Sequence, residues 1–231
     1  MNYLAIDAST EACSVALQFN DEVFSRYEVC PQSHSLRLLP MIDDVLKEAG
    51  CKLSQLEGLI FGQGPGSFTG VRIGIGVAQG LAFSANLKLV GVSTLQTMAQ
   101  LAYINHQETH VISVIDARMS EVYNGYYELD ENNIMQPKIN EAVTAPSEVK
   151  QRLSSVVEKA YGVGTGWDAY TDDLTSLKFN NDSPAVLFPE AKAMLAIGIA
   201  AFKIGESVLP ENAQPVYVRD TVSWKKLPGR K

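Results

Sequence analysis

The sequence has few of the residues that most often carry disulfide or metal chemistry: 3 cysteines and 3 histidines among 231 residues. Cys13, Cys30 and Cys51 are odd in number and show no C-x-x-C spacing, so reduced thiols are expected rather than a disulfide framework. No signal peptide or long apolar span precedes the first predicted strand. These absences predict a cytoplasmic protein that does not contact a membrane.

The chain also lacks the positive charge that is typical of nucleic-acid binders, because its formal net charge is −7 at pH 7. The C-terminus is the exception, where one acid is accompanied by five basic residues: Arg219, Lys225, Lys226, Arg230 and Lys231. We expect residues 216–231 to form a solvated basic tail. Truncation from Ser223 onward should therefore leave the fold intact.

Familiar catalytic motifs are absent as well. Gly62–Gly70 has no lysine of the P-loop kind, and a proline replaces the glycine that a nucleophile elbow needs two positions before Ser67. His106 and His110 are four residues apart, but they fall between a predicted helix and strand, where their rings need not share a face. His34, just ahead of a predicted helix, is expected to be a surface or capping residue. The sequence therefore predicts no catalytic residue and no metal site.

The glycine-rich stretch Phe61–Ala85 predicts the end of a strand, a tight turn and a helix with Ser67 as its N-cap. Apolar residues surround this helix, and only Arg72 and Gln79 form a narrow polar strip. A helix that is apolar on every side must be covered on every side. We therefore expect its own sheet to cover one side and a second body to cover the other.

Four glycines interrupt this helix in two pairs, with Gly70 and Gly74 on one face and Gly76 and Gly80 on another. Each glycine costs about 1 kcal/mol relative to alanine in a helix interior, so the set indicates close approach of other backbone. We expect the face with Gly70 and Gly74 to meet the second body.

Elsewhere, a helix is predicted over Ser35–Ala49, closed by Gly50 and kinked or begun at Pro40. Capping-box patterns at Ser54 and at Ser93 predict a short helical turn and a further helix. Strands alternate with these helices along the chain, which indicates an α/β fold.

Two short patterns recur in the same order. Ile115-Asp116-Ala117 repeats Ile6-Asp7-Ala8, and the aromatic-Gly-x-Gly-x-Gly of Tyr161–Gly166 repeats Phe61–Gly66. Two ordered matches indicate a duplicated unit. We predict two ribonuclease H-like lobes of the actin, Hsp70 and sugar-kinase (ASKHA) type, over 1–105 and 106–215, with the tail beyond.

In that fold, nucleotide phosphates lie at the turns after the first strand of each lobe. The corresponding residues are Asp7, Ser9, Asp116, Gly162, Gly164 and Gly166. Alanine follows both aspartates, where a glycine would let a phosphate approach the backbone. We therefore expect a vestigial site with at most weak ATP or ADP binding, and an ATP-dependent small-molecule kinase is the alternative.

Three segments, Met1–Glu11, Gly64–Gly74 and Pro215–Arg219, closely resemble the family of bacterial TsaB (YeaZ) proteins. The resemblance implies a subunit without catalytic residues in the pathway that adds threonylcarbamoyl to the adenosine beside the anticodon, in tRNAs that read codons starting with A. It implies pairing with TsaD, an ATP-using third partner, TsaE, and only indirect contact with tRNA. An older label of the family, glycoprotease, is the least favoured alternative.

The family's catalytic relative, TsaD, holds a metal with two histidines four residues apart, on a helix shortly after a Gly-Val pair. In this chain Gly91-Val92 is followed by Thr94 and Met98, neither of which suits such a metal. The resemblance therefore implies an inactive relative of peptidase M22-like proteins that binds no metal at this position and cleaves no protein.

The resemblance also implies that the helices over Ser35–Ala49 and Phe68–Ala82 form the pairing surface. The same surface is expected to form a homodimer when TsaD is absent. Its predicted members are Leu36, Leu39, Pro40, Met41, Phe68, Thr69, Gly70, Arg72, Ile73, Gly74 and Val77.

Overall fold

The computed structural model describes residues 1–153, 160–174 and 185–219. Of the predicted tail, only 216–219 is described, so the truncation from Ser223 lies outside these ranges. The strands are β1 (Tyr3–Asp7), β2 (Ala12–Phe19), β3 (Glu22–Val29), β4 (Gly58–Gly64), β5 (Leu89–Ser93), β6 (His110–Asp116), β7 (Val122–Leu129), β8 (Met135–Thr144) and β9 (Tyr161–Val163). The helices are α1 (His34–Glu48), α2 (Phe68–Ala85), α3 (Thr94–His106), α4 (Pro146–Leu153), α5 (Gly166–Ala169), α6 (Thr171–Leu174) and α7 (Ala191–Lys203).

Two sheets repeat one topology. The first has the strand order β3-β2-β1-β4-β5 and the second β8-β7-β6-β9. In each sheet the first strand pairs antiparallel with the second and parallel with the fourth. This repetition confirms the predicted duplicated α/β fold. Sequence analysis had not identified β8, the edge strand of the second sheet.

Helices cover both faces of both sheets. α1 and α2 lie on the outer face of the first sheet, and α7 packs on its inner face. α3 packs on the inner face of the second sheet and against α7, while α4 and α5 cover the far face. The core is therefore divided into four apolar layers, each between a sheet and its helices.

The middle layer exchanges helices between the two halves of the chain. α3 follows the first sheet in sequence but packs mainly on the second, and α7 follows the second sheet but packs on the first. The predicted boundaries, 1–105 and 106–215, stay a prediction. What the packing shows is that each sheet depends on a helix from the other side of residue 105.

Local capping follows the predictions at two helices and departs from them at a third. The Ser67 hydroxyl accepts from the Gly70 N–H at 3.2 Å, and Ser93 accepts from two N–H groups at the start of α3. The capping box predicted at Ser54 is wrong, because the turn spans Leu53–Gln55 and Gln55 accepts from the Lys52 N–H. The N-cap is thus Lys52, two residues before the Ser54 that the capping pattern indicated.

Candidate partner surface and inter-lobe cleft

The outward sides of α1 and α2 carry large apolar side chains that this chain does not cover. Leu36 is 73% exposed and Leu39 50% on α1, while Phe68 is 69% and Phe83 80% exposed on α2. The two helices pack side by side. We define the outer surface as nine of the exposed residues of these helices: Leu36, Leu39, Pro40, Phe68, Thr69, Arg72, Gly76, Gly80 and Phe83. Soluble monomers rarely expose large apolar side chains together, so this surface is a candidate interaction site.

The prediction that Gly70 and Gly74 face a partner is wrong. A Cβ on Gly70 would lie 2.1 Å from the Ala8 carbonyl oxygen, and one on Gly74 would lie 3.7 Å from the Ala8 Cβ. Both glycines therefore face the turn after β1 in the same subunit. A Cβ on Gly76 or Gly80 would meet nothing within 4 Å. The close backbone approach that glycine permits therefore occurs inside the subunit, whereas Gly76 and Gly80 face open space.

Three further predicted interface residues are not fully available. Met41 is buried in the core beneath α1, which corrects its assignment to the surface. Ile73 and Val77 are half-buried and pack against the same core. Phe83 belongs to the outer surface but was not among the predicted interface residues. In a helix that is apolar on every side, the sequence does not indicate which way such a side chain points.

An ordered segment near the C-terminus holds one edge of α2. The Gln79 side-chain amide donates to the carbonyls of Pro210 and Ala213, at 3.0 and 3.2 Å. The Val216 N–H then donates to the Gln63 carbonyl at the end of β4. This segment therefore covers Gln79 and reaches Arg72 through Tyr217, while Gly76, Gly80 and Phe83 of the outer surface stay exposed.

Arg72 is fixed between two aromatic rings at this edge. Its guanidinium carbon lies 3.3 Å from the centre of the Phe68 ring and 5.2 Å from that of Tyr217. The guanidinium also donates to the Phe68 carbonyl at 2.9 Å and to the Tyr217 hydroxyl. Such cation–π stacking presents a rigid, partly exposed group of the kind found at binding hot spots.

A cleft of about 1090 Å³ separates the turns after β1 and β6. Arg118 spans it, with ion pairs to Asp116 at 2.8 Å and to Glu11, just before β2, at 3.2 Å. Arg219 closes another side by pairing with Glu121 and donating to the Ala117 carbonyl. The walls of the cleft are therefore joined by charged contacts between the two halves of the chain.

Asp7 and Ser9, the predicted nucleotide residues of the first lobe, are hydrogen-bonded to each other. Asp7 is fully buried, accepts from the Ser9 N–H and hydroxyl at 3.0 Å, and lies against Gly62. Ser9 in turn accepts from the Thr94 hydroxyl at 2.9 Å. Burial raises the pKa of Asp7 to about 6, against the hydrogen bonds from Ser9 that lower it. The carboxylate is thus held inside the protein instead of being presented to a ligand.

The predicted glycines of the second lobe also point elsewhere. Gly162 packs against the Trp167 ring, while Gly164 and Gly166 pack against the Val114 backbone. Asp116 does line the cleft, but it accepts from Arg118 and the Tyr170 hydroxyl. Ser9 and Asp116 thus line the same cleft, but Asp7, Gly162, Gly164 and Gly166 do not, and the three glycines instead serve packing between strand and helix.

Thr94 and Met98 are both fully buried on α3. Thr94 is occupied by its bond to Ser9, and the Met98 methyl group lies beside Gly164. The space that the resemblance assigns to metal ligands in TsaD is therefore filled by a hydroxyl and a thioether that are engaged within this chain.

Comparison with known proteins identifies the family. The chain is 47% identical to the tRNA threonylcarbamoyladenosine biosynthesis protein TsaB of Escherichia coli over the whole of both chains. The protein of the same name from Haemophilus influenzae is 40% identical over 100% of this chain and 98% of the relative. The chain belongs to the TsaB family.

Two further findings support this membership. The family profile described as "TsaD: tRNA N6-adenosine threonylcarbamoyltransferase" matches residues 25–200. The solved structure of YeaZ from Pseudomonas aeruginosa is 42% identical, with a TM-score of 0.81 over 94% of this chain and 99% of that one. The TsaB-family resemblance inferred from three short segments is thus confirmed over the full chain.

Among residues 1–153, 160–174 and 185–219, no helix is both long and apolar enough to span a membrane.

Within the same ranges, three side chains that could bind a metal lie together, and the sequence patterns did not predict this cluster: Cys13, Cys30 and His34. His34 is buried and donates from Nε2 to the Thr10 carbonyl, so its assignment as a surface or capping residue is wrong. In the sequence, the cluster is indicated only by the four-residue spacing between Cys30 and His34.

Proposed function

We propose that this chain is a non-catalytic, cytoplasmic subunit of the machinery that makes threonylcarbamoyladenosine in tRNA. The names of its full-length relatives support the biosynthetic role. The observation that carries the non-catalytic part is the buried chain of hydrogen bonds from Thr94 through Ser9 to Asp7. These bonds occupy the polar groups that a catalytic member of the fold would direct at metal and nucleotide.

The outer surface supports the second part of the proposal, which is pairing with TsaD. Four large apolar side chains and two open glycines allow another helix to approach α1 and α2 closely. When TsaD is absent, a second copy of the chain covers the same surface, so the homodimer and the TsaD complex compete. TsaE joins the TsaD complex using ATP, and tRNA contacts this subunit only indirectly.

The proposal is tested by reconstituting the transfer of labelled threonine to tRNA with TsaD, TsaE and the synthase that supplies threonylcarbamoyl-AMP. Transfer should require this chain. Leu36→Asp and Phe83→Asp should abolish it while leaving the subunit folded, because both side chains are exposed. Val23→Asp, which is 55% exposed on β3 outside the outer surface, is the matched control.

The same assay tests the non-catalytic assignment with two further variants. Thr94→Val and Ser9→Ala should retain transfer within a few fold, since neither group handles substrate. A Thr94→Val subunit that folds and binds TsaD but supports no transfer would contradict the assignment.

The cleft favours a second candidate, an ATP-dependent kinase for a small molecule. Its volume accommodates a nucleotide, and Arg72, Arg118 and Arg219 line it. The buried Asp7 speaks against this role, because its carboxylate accepts from Ser9 inside the protein and is not presented to Mg²⁺. Titration of the isolated chain with ATP and Mg²⁺ separates the two: tight binding followed by phosphate transfer to a small hydroxyl compound would favour the kinase.

A further inference from the structure

The cluster of Cys13, Cys30 and His34 lies between the first sheet and α1. Cys13 is on β2, Cys30 follows β3, and His34 begins α1. Antiparallel pairing of Ala12 with Val29 brings the two cysteines together from positions far apart in the sequence. One ligand atom of each side chain lies within 4.8 Å of the others, and all three residues are buried. Both cysteines are free thiols.

We propose that Cys13, Cys30 and His34 bind a zinc ion, with a water molecule from the cleft as the fourth ligand. Two thiolates and one imidazole form a donor set that zinc uses when one position stays open. The atoms are close to the spacing of tetrahedral ligands, so shifts of about 1 Å would complete the geometry. Two thiolates and Zn²⁺ sum to zero charge, which suits a buried site.

The hydrogen bonding of His34 supports this assignment. A carbonyl oxygen can only accept, so the 2.7 Å contact with Thr10 places the proton on Nε2 and leaves the Nδ1 lone pair for a metal. Zinc-binding histidines usually have their second nitrogen held in this way by a carbonyl or carboxylate. The ring orientation is therefore fixed before any ion arrives.

The site also has a route of entry and a structural consequence. His34 and Thr10 line the cleft, which gives an ion and its water access to an otherwise buried cluster. On binding, each thiol releases its proton to solvent as its Zn–S bond forms. The ion would join β2, the end of β3 and the first turn of α1, the helix that carries Leu36 and Leu39. This inference is independent of the role in tRNA modification.

The test uses the full-length chain, reduced and stripped of metal with a chelator. Calorimetric titration with Zn²⁺ should give one ion per chain with proton release, and Zn²⁺ should raise the Tm. Co²⁺ should produce sulfur-to-metal charge-transfer absorption and the visible bands of a tetrahedral site. Cys13→Ala, Cys30→Ala and His34→Ala should each weaken zinc binding about 100-fold or more.

Cys51→Ala is the matched control, because Cys51 is a buried free thiol of the same core that lies outside the cluster. It should leave zinc affinity unchanged. The cobalt spectrum of the unmutated chain keeps the test decisive if a cluster variant fails to fold. A reduced wild-type chain that binds no Zn²⁺, or that binds Zn²⁺ equally well without Cys30, would overturn the proposal.

Discussion

The two glycine pairs of α2 have the same four-residue spacing and opposite surroundings. Gly70 and Gly74 face Ala8, so closely at Gly70 that a methyl group would collide with a backbone carbonyl. Gly76 and Gly80 face open space. The inner pair sets the distance between the helix and the turn after β1, whereas the outer pair flattens the surface that we propose a partner covers. The same residue type thus serves packing on the inner face and, under this proposal, association on the outer face.

The largest expected effect is at the inner face. Gly70→Val should lower the free energy of unfolding by about 3–5 kcal/mol, because its Cβ would lie 2.1 Å from a backbone oxygen that cannot rotate away. Chemical denaturation measures the loss. Gly76→Val is the control, since its Cβ has no neighbour within 4 Å. Equal stability of the two variants would contradict the distinction between the faces.

Asp7, in the turn beneath the inner face, gives a pH-dependent prediction. Its pKa rises from 3.8 to about 6 in the folded protein through burial, so the folded state retains a proton that the unfolded state loses. Stability should therefore fall as the pH rises from about 4 to about 6, by about 3 kcal/mol. The drop should be absent in Asp7→Asn.

Denaturation curves of both proteins across this pH range isolate the contribution of Asp7, because the other titrating groups are shared. Asp116→Asn, at the equivalent strand end of the second sheet, controls for a general effect of removing a carboxylate. A wild-type chain whose stability relative to Asp7→Asn is independent of pH would contradict the prediction.

Sequence patterns predicted the duplicated fold because strand and turn motifs are local and the repeat preserved their order. They also predicted the caps at Ser67 and Ser93, whose hydroxyls bond within the same turn. They failed to predict which side of helix α2 faces its own sheet. A wheel that is apolar all round contains two equivalent glycine pairs, and which pair meets Ala8 depends on the sheet beneath.

The zinc-ligand cluster escaped for a related reason. Cys13 and Cys30 become neighbours only through the β2–β3 register, which sequence spacing does not reveal. The glycines of the predicted nucleotide site were assigned wrongly because a repeated glycine pattern has two explanations, phosphate binding and close packing. In this chain the repeat at Gly162, Gly164 and Gly166 serves the packing of β6 against α5.

At the outer face, association should change while stability does not. Phe83→Ser should weaken the homodimer at least about tenfold, which corresponds to about 1.4 kcal/mol, since this ring is 80% exposed in the subunit. Sedimentation velocity over a concentration series measures the dimer constant. Met119→Ser, at a residue 64% exposed on the second half of the chain, is the control. A Phe83→Ser dimer as tight as the wild type would place the interface elsewhere.

The smallest expected effect comes from adding one methyl group to a glycine of each pair. Gly80→Ala should stabilise the isolated subunit by up to about 1 kcal/mol, because alanine is the better helix former and its Cβ meets nothing. Gly74→Ala adds the same methyl group at an ordinary contact distance, 3.7 Å from the Ala8 Cβ, and should gain a similar amount. Only Gly80→Ala should then weaken self-association and TsaD binding, since only its methyl group projects into the partner. Thermal unfolding and dimer constants of the two variants, measured side by side, check both halves. If Gly74→Ala were the variant that loses the partner, the inner and outer faces would have to be exchanged.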